Sequence, residues 1–159
     1  MFIRDRDCNG WLDLVVGYQQ GQIDIFLNDG GSRYSSPFRL PDSGSGTVDS
    51  LAVGDIDGNG WLDIVVGKYD SNNELYLNQG MKILSFKRTI LGGICNNNPS
   101  DNCTFSVAIG DLSGDGMLDI ILGNYGSPNL IMMNQGAGEF SLTDTFLGSE
   151  KSFTQRVAR

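Results

Sequence analysis

Three stretches have the residue types and spacing to wrap a hard cation. They are Asp5-Arg-Asp-Cys-Asn-Gly-Trp-Leu-Asp13, Asp55-Ile-Asp-Gly-Asn-Gly-Trp-Leu-Asp63 and Asp111-Leu-Ser-Gly-Asp-Gly-Met-Leu-Asp119. Ca²⁺ takes six to eight oxygen ligands in flexible geometry. A loop with side-chain oxygens at positions 1, 3, 5 and 9, and a backbone carbonyl at position 7, can surround one ion. The candidate ligands of the first loop are Asp5, Asp7, Asn9, the Trp11 carbonyl and Asp13. Those of the second are Asp55, Asp57, Asn59, the Trp61 carbonyl and Asp63, and those of the third Asp111, Ser113, Asp115, the Met117 carbonyl and Asp119. Gly10, Gly60 and Gly116 stand at position 6, where a sharp turn must aim the ligands inward.

Each loop carries three carboxylates. Two of them about 4 Å apart at an effective dielectric of about 20 repel by ~4 kcal/mol, a cost that a divalent ion reverses. Three Ca²⁺ ions would add six charges and move the net charge from −8 to −2. Mg²⁺ fits less well, because it demands a rigid octahedral shell and keeps several waters. An EF-hand needs Glu at position 12, where this chain has Val16, Val66 and Leu122. The bland alternative, acidic Asx-turns on a surface, explains one loop more readily than three with matched flanks.

Those flanks define the elements that must position the loops. The loop starts are 50 and 56 residues apart, and each loop runs straight into an apolar stretch: Leu14-Val-Val-Gly17, Ile64-Val-Val-Gly67, Ile120-Ile-Leu-Gly123. Fifteen residues after the last Asp comes Asn28-Asp-Gly30, Asn78-Gln-Gly80 and Asn134-Gln-Gly136, followed by Phe38, Phe86 and Phe140. Such self-similarity marks a repeat architecture. Units of about 1–47, 48–103 and 104–149 each divide into four short strands, and 150–159 reads as the opening strand of a next unit. The second unit predicts strands at Ser50–Val53, Leu62–Val66, Glu74–Leu77 and Ser85–Ile90. The third predicts them at Phe105–Ile109, Leu118–Leu122, Asn129–Met133 and Glu139–Leu142. The second strand of each unit is apolar on both faces and must be covered on both. A β-propeller supplies that cover by sandwiching each four-stranded blade between neighbours. The expected fold is therefore all-β: a β-propeller fragment of about three four-stranded blades, with a β-sandwich as the weaker alternative. Because propellers close with four to eight blades, the neighbouring blades are expected from a longer protein or from association.

Composition narrows the function classes. There are 19 Asp and Glu against 11 Lys and Arg, a balance that suits cations and not a nucleic-acid backbone. Without histidine, the commonest general base and zinc ligand is missing. No nucleophile elbow or phosphate loop occurs, so the chain itself is read as non-enzymatic. No apolar stretch is long enough for a membrane span, and no signal peptide is visible. Cys95 and Cys103 bracket a polar stretch and are expected to pair as a disulfide, which implies an oxidising compartment; two free thiols are the alternative. Cys8 is left over, and Asn102-Cys-Thr104 fits a glycosylation triplet only weakly.

The Asp-x-Asp-x-Asn-Gly-Trp-Leu-Asp-[Leu/Ile]-Val-Val-Gly segments and the Tyr76-Leu-Asn-Gln-Gly80 turn resemble the FG-GAP/VCBS repeat family, found in integrin alpha chain propellers and many secreted and surface proteins. The resemblance covers nearly the whole chain, although Val53-Gly54 and Ile109-Gly110 stand where Phe-Gly would be. It implies Ca²⁺ held between the first two strands of each blade, and a seven-bladed ring in many members. It further implies a binding, adhesion or scaffold role outside the cell or at its surface, toward a protein or carbohydrate ligand that the sequence does not name. The alternative is the propeller portion of a secreted carbohydrate-active enzyme such as a polysaccharide lyase. Tyr18, Tyr69 and Tyr125 recur after the second strand, which favours structural roles over a single catalytic base. Ser43-Gly-Ser-Gly46 and the Cys95–Cys103 stretch are candidate contact surfaces or plain linkers. Trp11 and Trp61 are candidate sugar-stacking residues or packing for their loops.

Overall fold

The computed structural model describes residues 2–4, 9–31, 33–80, 85–92 and 103–142. Among these residues there are strands, turns and bends, and no helix. The strands are β1 (Phe2–Arg4), β2 (Asp13–Gly17), β3 (Ile23–Phe26), β4 (Phe38–Arg39), β5 (Val48–Gly54), β6 (Asp63–Lys68), β7 (Asn73–Asn78), β8 (Phe86–Gly92), β9 (Cys103–Gly110), β10 (Asp119–Tyr125), β11 (Leu130–Asn134) and β12 (Phe140–Leu142). They form three four-stranded sheets, each an antiparallel meander in chain order: β1–β4, β5–β8 and β9–β12. The opening strands adjoin one another, β1 beside β5 and β5 beside β9. The molecule is a β-propeller fragment of three blades. The strands expected in the second and third units are present, with ends moved by up to three residues, and the opening strand expected over 150–159 lies outside the described residues. Cys103, placed at the end of the second unit, instead opens the first strand of the third blade.

Side-chain alternation in the middle blade explains its apolar strands. On β6 and β7, Ile64, Val66 and Tyr76 join Val53 in a core shared with Val15, Ile23, Ile25 and Leu40 of the first blade. Val65, Leu75 and Leu77 join Ala52 in a core shared with Val107, Ile109, Ile120, Leu122 and Met132 of the third. All residues of β6 and β7 are buried. Each large aliphatic side chain buried this way contributes roughly 1.5–3 kcal/mol.

The glycine that ends each Val-Val-Gly run is a contact point. A Cβ on Gly67 would stand 2.6 Å from Val107 Cγ2 and 2.9 Å from Thr104 Cγ2, so the third blade's opening strand could not approach. Gly17 stands likewise against Val48 and Leu51.

Polar groups buried between blades are paired. Lys68 is fully buried, its Nζ 2.7 Å from Glu74 Oε2 and donating to the Ser45 carbonyl at 2.7 Å. Glu74 also accepts from the Tyr76 hydroxyl at 2.9 Å and pairs with Arg88. Removing one partner of such a set strands a buried charge, typically at about 3–5 kcal/mol. The first blade carries the simpler pair Asp24–Arg39 at 2.8 Å, which holds the Asp24 carboxyl below its ordinary range.

Lys68 also fixes the Ser43–Gly46 linker. Ser45 is held by Lys68, Gly44 N donates to Gly21 O at 3.0 Å, and Ser43 Oγ donates to Leu40 O at 2.7 Å. The linker is thus bonded into the seam between the first two blades.

Candidate metal loops

Each acidic loop joins the first and second strands of its blade, and its last Asp opens the second strand. The structure accounts for the constant 15-residue interval seen in the sequence. Asp13 Oδ1 accepts from Asn28 N at 2.8 Å, Asp63 Oδ1 from Asn78 N at 2.7 Å and Asp119 Oδ1 from Asn134 N at 2.9 Å. The three aspartates are buried. Each Asn closes its own turn by accepting from a glycine N–H: Gly30 at 3.0 Å, Gly80 at 3.2 Å and Gly136 at 2.9 Å. Each also donates its amide to the loop's Leu carbonyl, at Leu12, Leu62 and Leu118. Loop and turn therefore form one hydrogen-bonded block. Asn28, Asn78 and Asn134 position the loop, a role the fixed spacing hinted at without explaining.

In the second loop, Asp55 accepts from Asn59 N at 3.0 Å and Gly60 N at 2.9 Å. Asp57 accepts from Asn59 N at 3.2 Å, and the Asn59 side chain accepts from Trp61 N at 2.8 Å and donates to Asn78 O at 2.9 Å. Asp63 Oδ2 accepts from Ile56 N at 2.7 Å. These bonds curl the loop so that one oxygen each from Asp55, Asp57 and Asp63 lie within 4.8 Å of one another. Burial raises the Asp63 carboxyl to about 6, opposed by the N–H groups of Asn78 and Ile56. Such a carboxylate set is able to hold a hard divalent cation.

The third loop has the same framework. Asp111 accepts from Gly114 N at 2.7 Å, Asp115 N at 3.2 Å and Gly116 N at 2.9 Å, and these donors, Gly116 foremost, lower its pKa. Ser113 Oγ accepts from Asp115 N at 3.3 Å, Asp115 from Met117 N at 2.9 Å, and Asp119 Oδ2 from Leu112 N at 2.8 Å. In the first loop, Asp5 and Asp7 lie outside the described residues. Asn9 accepts from Trp11 N at 2.7 Å and donates to Asn28 O at 2.8 Å, as Asn59 does in its loop.

The position-7 side chains seat the turns. Gly30 and Gly80 have positive φ, and a Cβ on either would overlap the indole of Trp11 or Trp61. Met117 lies over Gly136 more loosely, its Sδ 3.8 Å from a Cβ there. The tryptophans pack beside their loops, although Trp11 remains 51% exposed. Tyr69 and Tyr125 flank Phe105, with ring centroids 5.5 and 5.4 Å away, an aromatic packing group joining the second and third blades. Cys103 is buried at the start of β9, while Cys8, Cys95 and Asn102 lie outside the described residues. Among the described residues no helix is long and apolar enough to cross a membrane.

Repeated four-stranded blades, each with an acidic loop between its first two strands, define a propeller repeat protein. The profile of the FG-GAP-like repeat matches residues 5–66 and again 55–122. The chain belongs to the FG-GAP-like repeat family. No curated protein matches it.

Proposed function

We propose that this chain is a calcium-binding propeller module acting as a non-enzymatic binding, adhesion or scaffold domain of a larger extracellular or surface protein. The observation that carries the reading is the convergence of Asp55, Asp57 and Asp63 within 4.8 Å in a loop whose glycine turn and backbone bonds aim them together. About three Ca²⁺ ions are expected, one per loop, each tying the first two strands of a blade through the Asp–Asn block. The role of the ion is structural, and ligand contact with a protein or carbohydrate falls to other loops. A Cys95–Cys103 disulfide belongs to the same extracellular reading.

Calorimetric titration with Ca²⁺, paired with thermal unfolding in Ca²⁺ and in chelator, tests this. At a hundredfold excess over the dissociation constant each site adds about 2.7 kcal/mol. At roughly 2–4 °C per kcal/mol for a chain of this size, that is roughly 5–10 °C per site. Absence of both binding heat and melting shift refutes the cation assignment. Mass spectrometry with and without reductant checks the disulfide, which is expected to cost two mass units on formation.

A further inference from the structure

The seam between the second and third blades leaves open what the seam between the first and second fills. Strand registers match the two seams position by position. Phe38 pairs with Ile25 as Thr89 pairs with Leu75, and Tyr76 pairs with Ile64 as Met132 pairs with Ile120. In the first seam these two positions hold rings. Tyr76 is fully buried, edge-on to Phe86 with ring centroids 6.4 Å apart, and Phe38 packs against the same core. In the second seam they hold Thr89 and Met132, and a cavity of about 210 Å³ lies between β8 and the third blade. Leu77, Leu91, Met132 and Phe140 give it apolar walls. All its walls come from the second and third blades, so the gap follows from which residues stand at this seam.

The cavity is smaller than the roughly 300 Å³ at which ordinary ligand pockets begin. It is larger than the roughly 150 Å³ that accepts benzene. It therefore takes one ring and little more. Thr89 among the aliphatic groups suits a ring that carries a polar tip. The rim is charged: Lys87 and Glu139 line it, and neither side chain is in an ion pair among the described residues.

Two segments form the lips. One is the Gly136–Gly138 turn, where Ala137 is held at φ 52°, a strained backbone of the kind that recurs at ligand clamps. Gly138 lets this turn close on Leu77, since a Cβ there would stand 2.8 Å from Leu77 Cδ1. The other is β8, seven residues long and last in its sheet, so its outer edge pairs with no strand among the described residues. An extended segment can add to such an edge and drop alternate side chains into pockets beside it.

We propose that this cavity is an anchor pocket for one tyrosine side chain of a partner protein's extended segment laid along β8. Alternate residues of a strand share a face. The partner's acidic and basic residues therefore stand two positions either side of the tyrosine, where they meet Lys87 and Glu139. This proposal rests on the binding-module reading and names the surface and the chemistry of the ligand.

The test is methyl NMR titration of the 159-residue chain in Ca²⁺ with acetyl-Asp-Thr-Tyr-Thr-Lys-amide, with the peptide of reversed charge order, and with p-cresol as the free ring. One charge order is expected to shift the methyl signals of Leu77, Leu91 and Met132. Replacing its tyrosine by alanine is expected to weaken binding by about tenfold or more, as loss of a buried anchor does. The double variant Thr89→Phe, Met132→Tyr gives the second seam the rings of the first. It is expected to melt no lower than wild type and to lose both peptide and p-cresol by about tenfold or more. Thr89→Phe alone, at a half-buried position, makes the same test with the smaller added volume. Lys87→Glu, at an exposed position, is expected to weaken the peptide about threefold and leave p-cresol unchanged. Peptides that leave all three methyl signals in place overturn the proposal, and so does binding that survives the filled variants. Binding of p-cresol without binding of either peptide shows a small-molecule pocket and overturns the peptide assignment. Ca²⁺ titration of the same samples separates the two readings. A chain that binds Ca²⁺ but no peptide overturns only the anchor pocket, whereas one that binds peptide but no Ca²⁺ overturns only the cation assignment.

Discussion

The second and third acidic loops share a backbone framework and differ in cover and charge. In both, the last Asp bonds the loop's second N–H and the turn Asn, and the first Asp gathers N–H groups from the glycine turn. The second loop is covered by the third blade, through Asn134 on Ile56 O, and its Asp55 and Asp57 are half-buried. Asp111 and Asp115 of the third loop are exposed, and Ser113 replaces the position-3 carboxylate. Loop shape thus comes from local hydrogen bonds, whereas the partial burial of the second loop's carboxylates comes from the neighbour that excludes water.

The largest expected effect tests the shared framework. Asp63→Ala leaves two buried N–H groups without an acceptor and Asp119→Ala one buried and one part-buried, and bonds to a charged group contribute about 1.5–3 kcal/mol apiece. Denaturation in chelator should show a loss of roughly 3 kcal/mol or more for both variants. A large inequality between them breaks the claim that the two blocks are equivalent.

The exchange Asp57→Ser, which gives the second loop the third loop's ligand set, tests the charge difference. Calorimetry should show that site weakening by about tenfold or more, since affinity follows ligand charge and rigidity. Ser113→Asp should strengthen the third site in return. Melting of both variants in chelator should change little, because the backbone bonds to these two side chains are long, at 3.2 Å and 3.3 Å.

Glycine substitution sharpens the difference in packing. Gly80 and Gly136 both have positive φ, so Ala is strained at either by about 1–2 kcal/mol. Only at Gly80 does the new Cβ also meet an indole, which adds about 1–3 kcal/mol of overpacking. Chemical denaturation should rank Gly80→Ala below Gly136→Ala; the reverse order refutes the role given to Trp61.

The pH dependence of stability reads the same buried carboxylate. Burial raises Asp63 from its ordinary 3.8 to about 6 in the cation-free fold. The folded state therefore holds more protons than the unfolded state between those values. This group's contribution favours folding at low pH and is lost as pH rises from about 4 to about 6. Stability measured in chelator should carry that slope, and Asp63→Asn should abolish it. Because the proton competes with a cation, the melting shift caused by Ca²⁺ should be smaller at pH 5 than at pH 7.

Much of this was legible in the residues. Equal units with apolar second strands required cover on both faces, and β6 and β7 are buried throughout. The loops announced themselves through Asp, Asn and Gly at fixed offsets, because ligand geometry and positive φ are local demands. The buried set of Lys68, Glu74 and Arg88 left no such sign: single charges in a strand look solvated until the fold brings them together. The 15-residue interval was visible, but its cause, a carboxylate holding a distant turn, needs two strands side by side.

The sequence by itself determined the repeat, the strands and the placing of the acidic turns, since each depends on side-chain type at short range. Tertiary structure decided which copies of one motif are covered. Leu12 and Leu62 share the surroundings Gly-Trp-Leu-Asp, yet one is 54% exposed and the other packs into a core. Burial belongs to the neighbour that an element meets, and that neighbour is chosen by the fold, not by the residues beside it in the chain.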